Sequence, residues 1–176
     1  MPIYAKSGAS FTPAPQGTHA AVCVDVVDLG NLKVTFGGKE KEQHKIKIVW
    51  QIEEARDDGK PFQVAKRYTC SLHEKASLRK DLESWRGRPF TGPELEQFDL
   101  EVLLNVGCFV NVVHAVKGGE TYANVSAVIK LPKAMVAPTQ RDYVRVCDRE
   151  QQTDTPDTSA PGQSDDFEIS DSDVPF

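Results

Sequence analysis

Hydrophobic residues recur at every second position in three segments of the first half of the chain, and this pattern predicts β-strands over residues 18–29, 45–54 and 62–72. The Asp58-Gly59 pair between the second and third segments is typical of a hairpin turn. Residues 30–44 are predicted to form a basic connection containing glycines, with a short extended piece at 33–36. The first half of the chain is therefore predicted to be a three-stranded meander.

The alternation also predicts which side chains share a face of each strand. On the first strand Val22, Val24 and Val26 are expected on one face, with Cys23 and Asp25 on the other. On the second strand Trp50 alternates with isoleucines, so its ring is expected in the core rather than against a ligand.

The helical period appears only after the third strand. Leu78, Leu82 and Trp85 fall on one helical face, Ser71 and Glu74 have the spacing of a capping box, and Gly87 suits the end of a helix. A second short helix is predicted from residue 93, opened by Thr91. Alternation returns in residues 106–116 and 121–131, which predicts two further strands around the turn at 118–119.

The predicted order, β-β-β-α-β-β, is that of an OB-fold-like five-stranded barrel in a mainly β protein. Residues 1–17 contain three prolines and are expected to form an irregular N-terminal arm, and residues 18–150 to form the OB-fold-like domain. Residues 151–176 lack the apolar content of a folded segment, so we expect a disordered acidic tail. Residues 134–150 fit no predicted element.

Charge is distributed unevenly along the 176 residues. The net charge is −5, but all 21 basic residues precede residue 150, where they face 19 acidic residues, so the body carries +2. The tail carries seven acidic residues and no basic one. A mildly basic body joined to an acidic tail is compatible with a nucleic-acid partner, which the overall charge alone would disfavour.

Other functional classes are disfavoured by the sequence. There is no signal-peptide pattern and no apolar run of the roughly 18 residues that span a bilayer, so we expect a cytoplasmic protein with no membrane contact. The four cysteines form no close pair with one another, which favours buried free thiols over a zinc site. No phosphate-binding loop or HExxH motif occurs, so we predict no enzyme activity and no cofactor or metal.

The chain ends in DDFEISDSDVPF, and this ending resembles the acidic tip of single-stranded DNA-binding proteins of bacteria and their phages. The stretches FTPAPQGTHAAVCVDVVDLG and SLHEKASLRKDLESWRGRPFT also resemble phage-encoded members of that family. The resemblance implies an OB-fold that coats single-stranded DNA in the cytoplasm of an infected host, and a tip that docks on replication and repair proteins. The tip residues implied are Asp171, Asp173, Val174, Pro175 and Phe176.

A free carboxylate beside a proline and an aromatic ring makes a compact anchor for a pocket on a partner protein. Because the tail is strongly acidic, it is also expected to compete with DNA for the basic groove of the body.

Binding of a single strand needs cations along a groove and aromatic faces on which bases stack. In an OB-fold the second and third strands and two loops supply these groups. The candidate DNA-binding residues are Lys33, Phe36, Lys39, Lys41, Lys45, Lys47, Lys66, Arg67, Tyr68 and Tyr122. Glutamates interleave with the lysines of residues 39–45, which weakens the expected basic patch.

Two other functions stay open on the sequence alone. The modest body charge is compatible with an adaptor that contacts only proteins, and an accessory of strand annealing would share the same composition. The sequence also leaves open whether the protein forms a homo-oligomer.

Overall fold

The computed structural model describes residues 12–152, with side chains from Thr12 to Arg149. Its five strands are β1 (Gly17–Phe36), β2 (Lys39–Ala55), β3 (Pro61–Thr69), β4 (Gly107–Lys117) and β5 (Glu120–Lys130). Its helices are α1 (Ser77–Arg86), α2 (Gly92–Glu96) and α3 (Val146–Gln152), and one turn of 3-10 helix covers Leu100–Leu103.

The strands form one antiparallel sheet in the order β3-β2-β1-β4-β5. The predicted mainly β composition, with five strands and a helix between the third and fourth, is confirmed. The sheet is open, because within the described residues no ladder joins β3 to β5. β1 is the central strand and holds the two halves of the sheet together.

β1 contains two bulges that change which side chains face the core. The register shifts between Cys23 and Asp25, so Val24 is an extra residue in β1. Cys23 therefore lies in the main core and Val26 packs against that core, whereas Val22 and Val24 belong to a second apolar cluster on the other face of the sheet. The prediction that Val22 and Val24 share a face is confirmed, but it is wrong for Val26, and Asp25 lies opposite Val49 on the outer face and not with Cys23, because the bulge at Val24 interrupts strict alternation.

Helix α1 packs on the core face of the sheet, as its predicted stripe requires. Leu78, Leu82 and Trp85 are buried, and the rings of Trp85 and Trp50 lie 6.0 Å apart between centroids. Gly87 ends the helix with a left-handed φ of 71°. The predicted capping box at Ser71 is wrong: the helix begins at Ser77, and the Ser71 hydroxyl instead accepts a bond from the backbone N–H of His73.

The short helix α2 begins as the sequence predicts. The carboxylate of Glu94 accepts a hydrogen bond from the backbone N–H of Thr91 at 3.0 Å and another from the guanidinium of Arg86 at 2.7 Å. These donors lower the pKa of Glu94 to about 2. Because Arg86 lies at the end of α1, the pair fixes α2 against that helix.

The hairpin between β1 and β2 is much longer than predicted. Both strands run on to a two-residue turn, Gly37-Gly38, in which the φ angles are +58° and +77°. Two successive positive φ angles match a type I′ hairpin turn, which favours glycine. The segment predicted as a connection is therefore paired strand almost throughout.

The four cysteines are free. Cys23 and Cys108 are buried as expected, and burial raises the pKa of the Cys23 thiol to about 12. Cys147 is exposed, so the expectation of burial fails there. In the described part of the chain, no helix combines the length and apolar character needed to cross a membrane.

We expect Leu82→Ala to lower the free energy of unfolding by about 2–5 kcal/mol, because it leaves a cavity beneath α1. Urea unfolding followed by the fluorescence of Trp50 and Trp85 measures the change. Val136→Ala is the matched control, since Val136 is 91% exposed and its truncation should cost under about 0.5 kcal/mol. Equal losses in the two variants would contradict the placement of α1.

Candidate nucleic-acid interface

The far end of the β1–β2 hairpin forms a two-stranded ribbon, residues 30–36 paired with residues 39–45. Neither neighbouring strand reaches the ribbon: β4 pairs with β1 only over residues 17–22, and β3 ends at Thr69, opposite Lys45. At the tip of the ribbon, Phe36 is 86% exposed. The ribbon therefore presents both of its faces to solvent.

One face of the ribbon combines apolar residues with lysines. Residues paired across an antiparallel ladder share a face, and the pairs here are Phe36 with Lys39, Val34 with Lys41, Leu32 with Gln43 and Gly30 with Lys45. We call the side chains of these pairs the lysine face; its members are Leu32, Val34, Phe36, Lys39, Lys41, Gln43 and Lys45. It carries three positive charges and no negative one.

The opposite face of the ribbon carries the acids. Thr35 pairs with Glu40, Lys33 with Glu42 and Asn31 with His44. The glutamates that interleave with the lysines in sequence are therefore separated from them in space, because successive side chains of a strand point to opposite faces. Lys33, a predicted binding residue, lies with the glutamates.

The lysine face continues onto the outer surface of the sheet, the surface away from α1. β2 keeps a regular register with β3 over residues 45–51, so Lys47 follows Lys45 on the same face, with Arg67 beside it. The ammonium of Lys45 donates to the hydroxyl of Thr69 at 2.6 Å. From Lys39 to Lys47 the strand advances about 26 Å, and four lysines lie along this line.

A groove of about 550 Å³ opens where this line of cations reaches the outer surface of the sheet. Lys47 and Val49 of β2 lie on one side of it, and Tyr122 and Asn124 of β5 on another. The hydroxyl of Tyr122 donates to the carboxylate of Glu120 at 2.8 Å, and this bond raises the pKa of the phenol. The side chain of Tyr122 is partly exposed beside the groove.

A third wall of the groove comes from residues 138–149, which we call the strap. The strap belongs to residues 134–150, the stretch that the sequence pattern left unassigned. The strap is held by Asp25, a β1 residue only 1% exposed. The carboxylate of Asp25 accepts from the hydroxyl of Tyr143 at 2.9 Å, from Nε of Arg145 at 3.2 Å and from the backbone N–H of Val146 at 2.9 Å. These three donors satisfy a charge that would otherwise be costly to bury.

Further contacts seat the strap along the sheet. Gln51 exchanges two hydrogen bonds with the backbone of Arg141, at 2.6 and 2.9 Å. The ring of Tyr143 covers the outer cluster of Val22, Val24 and Val49. A charged residue among valines in β1, and the alternation of Arg141, Tyr143 and Arg145, were the sequence signals for this docking.

Besides Lys33, two predicted binding residues of β3 lie away from the lysine face. Tyr68 is 2% exposed, and its hydroxyl donates to the carboxylate of Asp81 on α1 at 2.7 Å. The ammonium of Lys66 donates to the same oxygen at 2.7 Å. Burial and the neighbouring carboxylate raise the pKa of Tyr68. Both side chains fasten α1 to β3, so the ring of Tyr68 is not available for base stacking.

The predicted residues thus divide into three groups. Phe36, Lys39, Lys41, Lys45, Lys47 and Arg67 form one surface, with Tyr122 beside the adjoining groove. Lys33, Lys66 and Tyr68 lie elsewhere. The tip residues Asp171, Asp173, Val174, Pro175 and Phe176 lie outside the described residues.

Comparison with known proteins adds no assignment: no family model matches the chain, and a search of curated proteins finds no match. Within residues 12–152, no group of three or more His, Cys, Asp or Glu side chains is placed to hold a metal ion. The geometry of the surface itself therefore carries the argument for function.

We expect Tyr143→Phe to lower the free energy of unfolding by about 1–3 kcal/mol, because the buried carboxylate of Asp25 loses a hydroxyl donor. Urea unfolding measures this change. Tyr122→Phe is the matched control: it also removes a phenol-to-carboxylate bond, but Glu120 is exposed, so we expect a distinctly smaller loss. A loss from Tyr143→Phe no larger than that of the control would contradict the role assigned to Asp25.

Proposed function

We propose that this protein binds single-stranded DNA without sequence specificity, coats and protects it during replication and recombination, and recruits partner enzymes through its acidic C-terminal tip. The observation that carries the proposal is the lysine face. It sets Phe36 and the apolar residues behind it among Lys39, Lys41 and Lys45, with the acids on the opposite face. Single-strand binding uses this combination of cations and stacking surfaces.

The strand order supports an OB-type barrel as the underlying fold. An OB-fold is a partly open five-stranded barrel whose strands 2 and 3 and two loops bind oligonucleotides. In this protein β2 and β3 carry Lys45, Lys47 and Arg67, and the ribbon takes the place of the loop between the first two strands. The turn between β4 and β5 lies close in sequence to Tyr122 beside the groove.

The path for a strand follows from these positions. A strand that stacks a base on Phe36 would run along the four lysines toward the groove, where Tyr122 offers a second ring. Phe36 and Tyr122 can stack only on bases that are unpaired and free to turn toward them. Flexible, unpaired bases suit such a surface better than a rigid duplex.

The deciding experiment is fluorescence anisotropy with labelled oligo-dT and with a duplex of matched length, at low and moderate salt. We expect a clear preference for the single strand, with affinity falling as salt rises because phosphate contacts release counterions. Absent binding, or equal binding of both forms, would overturn the proposal and leave a protein-binding adaptor.

We expect Phe36→Ala to weaken oligo-dT binding about 5- to 150-fold, the loss of roughly one stacked base. Lys41→Ala should weaken it less and should reduce the slope of log Kd against log salt by about 0.7, the loss of one phosphate contact. Anisotropy titrations at several salt concentrations measure both effects.

Lys33→Ala is the matched control for Lys41→Ala. It removes the same charge from the same ribbon, but from the face that carries Glu42. We expect a smaller change in affinity and slope than Lys41→Ala produces. If Lys33→Ala proved equally damaging, binding would depend on the charge of the ribbon as a whole and not on its lysine face.

The tail provides a separate prediction. We expect a chain stopped at Gln163, which lacks five acidic residues, to bind oligo-dT more tightly than the full chain, because the tail competes for the same cations. The gain should shrink at high salt, which screens this competition. An unchanged affinity at low salt would rule out competition by the tail.

A further inference from the structure

The ribbon depends on its base for its orientation. Within the described residues no third strand pairs with residues 30–36 or 39–43, and the last outside ladder contact is the bond from the N–H of Cys70 to the carbonyl of His44 at 2.8 Å. A two-stranded hairpin alone is only marginally stable in water. Something at the base must therefore fix the angle at which the ribbon leaves the sheet.

The base contains the second bulge of β1. The register shifts between Asp28 and Gly30, so Leu29 is the extra residue, and Gly30 has a φ of +70°. A Cβ on Gly30 would meet no atom within 4 Å, so glycine is needed there for its backbone angle and not for space. A bulge bends its strand, which makes this position the bend between sheet and ribbon.

One carboxylate oxygen ties both strands together at this bend. Oδ1 of Asp28 accepts the backbone N–H of Gly30 at 2.8 Å and is 2.6 Å from Nε2 of His44 on β2. The first contact closes the bulge and the second reaches across the hairpin. The two donors hold the pKa of Asp28 below its usual value, the amide of Gly30 having the larger effect.

We propose that Asp28 is a positioning residue that fixes the orientation of the ribbon, and with it the place of the lysine face relative to the groove. Its relevance to DNA rests on the proposed function; its effect on the ribbon does not.

The ribbon is long enough that a small change of angle at its base would displace Phe36 appreciably. Phe36 lies about 20 Å along the strand from Gly30, so a tilt of about 10° at the bend would move the tip by about 3 Å. A displacement of that size breaks a stacking contact. Without Asp28 the ribbon would sample several angles, and binding would have to select one of them, which lowers affinity.

Hydrogen exchange followed by mass spectrometry on the full chain tests the first half of the proposal. We expect Asp28→Ala to speed exchange of ribbon amides, residues 31–36 and 39–44, by at least tenfold, with β4 and β5 unchanged. Asp28→Asn should lie between, because its amide oxygen still accepts from Gly30. Unchanged ribbon exchange in Asp28→Ala would overturn the proposal, as would equal acceleration throughout the sheet.

Asp58→Ala is the matched control. Like Asp28, Asp58 is an exposed aspartate that accepts the N–H two residues on, here from Lys60 at 3.0 Å, but it lies in the turn of the β2–β3 hairpin. It should leave ribbon exchange as in the natural protein. Faster ribbon exchange in Asp58→Ala would show that losing any such aspartate destabilises the sheet, and it would overturn the specific role of Asp28.

A double-mutant cycle tests the second half, with oligo-dT as the probe. Asp28→Ala should weaken binding at least fivefold in the natural protein and have almost no effect when Phe36→Ala and Lys41→Ala are already present, because it acts through their face. If the losses in affinity were instead additive, Asp28 would not act through the lysine face, and this half of the proposal would be overturned. If the natural protein bound no oligo-dT, the proposed function would fail while the exchange result would still decide the role of Asp28.

Discussion

The buried carboxylate of Asp25 is the interaction on which the outer half of this protein depends. A carboxylate at 1% exposure is stable only when its oxygens are satisfied, and all three donors come from the strap. Asp25 therefore makes docking of the strap a condition of burying the outer valines. The same docking builds one wall of the groove and sets the start of α3, from which the acidic tail continues.

Strand β2 serves two surfaces at once because its register is regular. Its even-numbered residues from Ile46 to Ile52 fill the core beneath α1, and its odd-numbered residues from Lys39 to Lys47 form the cationic line. Both bulges in the β1–β2 pairing lie in β1, so β1 absorbs the curvature while β2 keeps a regular register from Lys39 to Gln51. A one-residue slip in β2 would place lysines in the core and isoleucines outside, so core packing itself fixes the lysine face.

Much of the architecture follows from local pattern, and the failures have definite causes. The strands and α1 were predictable because alternation and the Leu78, Leu82, Trp85 stripe are strong signals. The side of Val26 was mispredicted because a bulge is a pairing feature with no simple local signature. Tyr68 and Lys66 looked accessible because their shared partner, Asp81, comes from a helix distant in sequence.

The candidate interface was also hard to predict, because its charge pattern appears only once the strands are paired. In sequence, residues 39–45 alternate lysine with glutamate and look nearly neutral. Once these residues form a strand, the alternating lysines and glutamates point to opposite faces of the ribbon. Lys39 and Lys41 then have Phe36 and Val34 as cross-strand neighbours. The ribbon was missed because its pairing depends on the Gly37-Gly38 turn, which reads equally well as a loop.

Segregated charges also decide how a ligand would be held. The acids lie within one ribbon thickness of the lysines, about the Debye length at physiological salt, so their fields partly cancel at longer range. A body of net +2 therefore steers a distant strand only weakly. At contact distance, however, every charge on the lysine face is positive. Binding on such a face would depend more on stacking and close contact than on long-range attraction. Its geometry would then matter more than its total charge, which is why the orientation of the ribbon is a property worth fixing with a dedicated carboxylate.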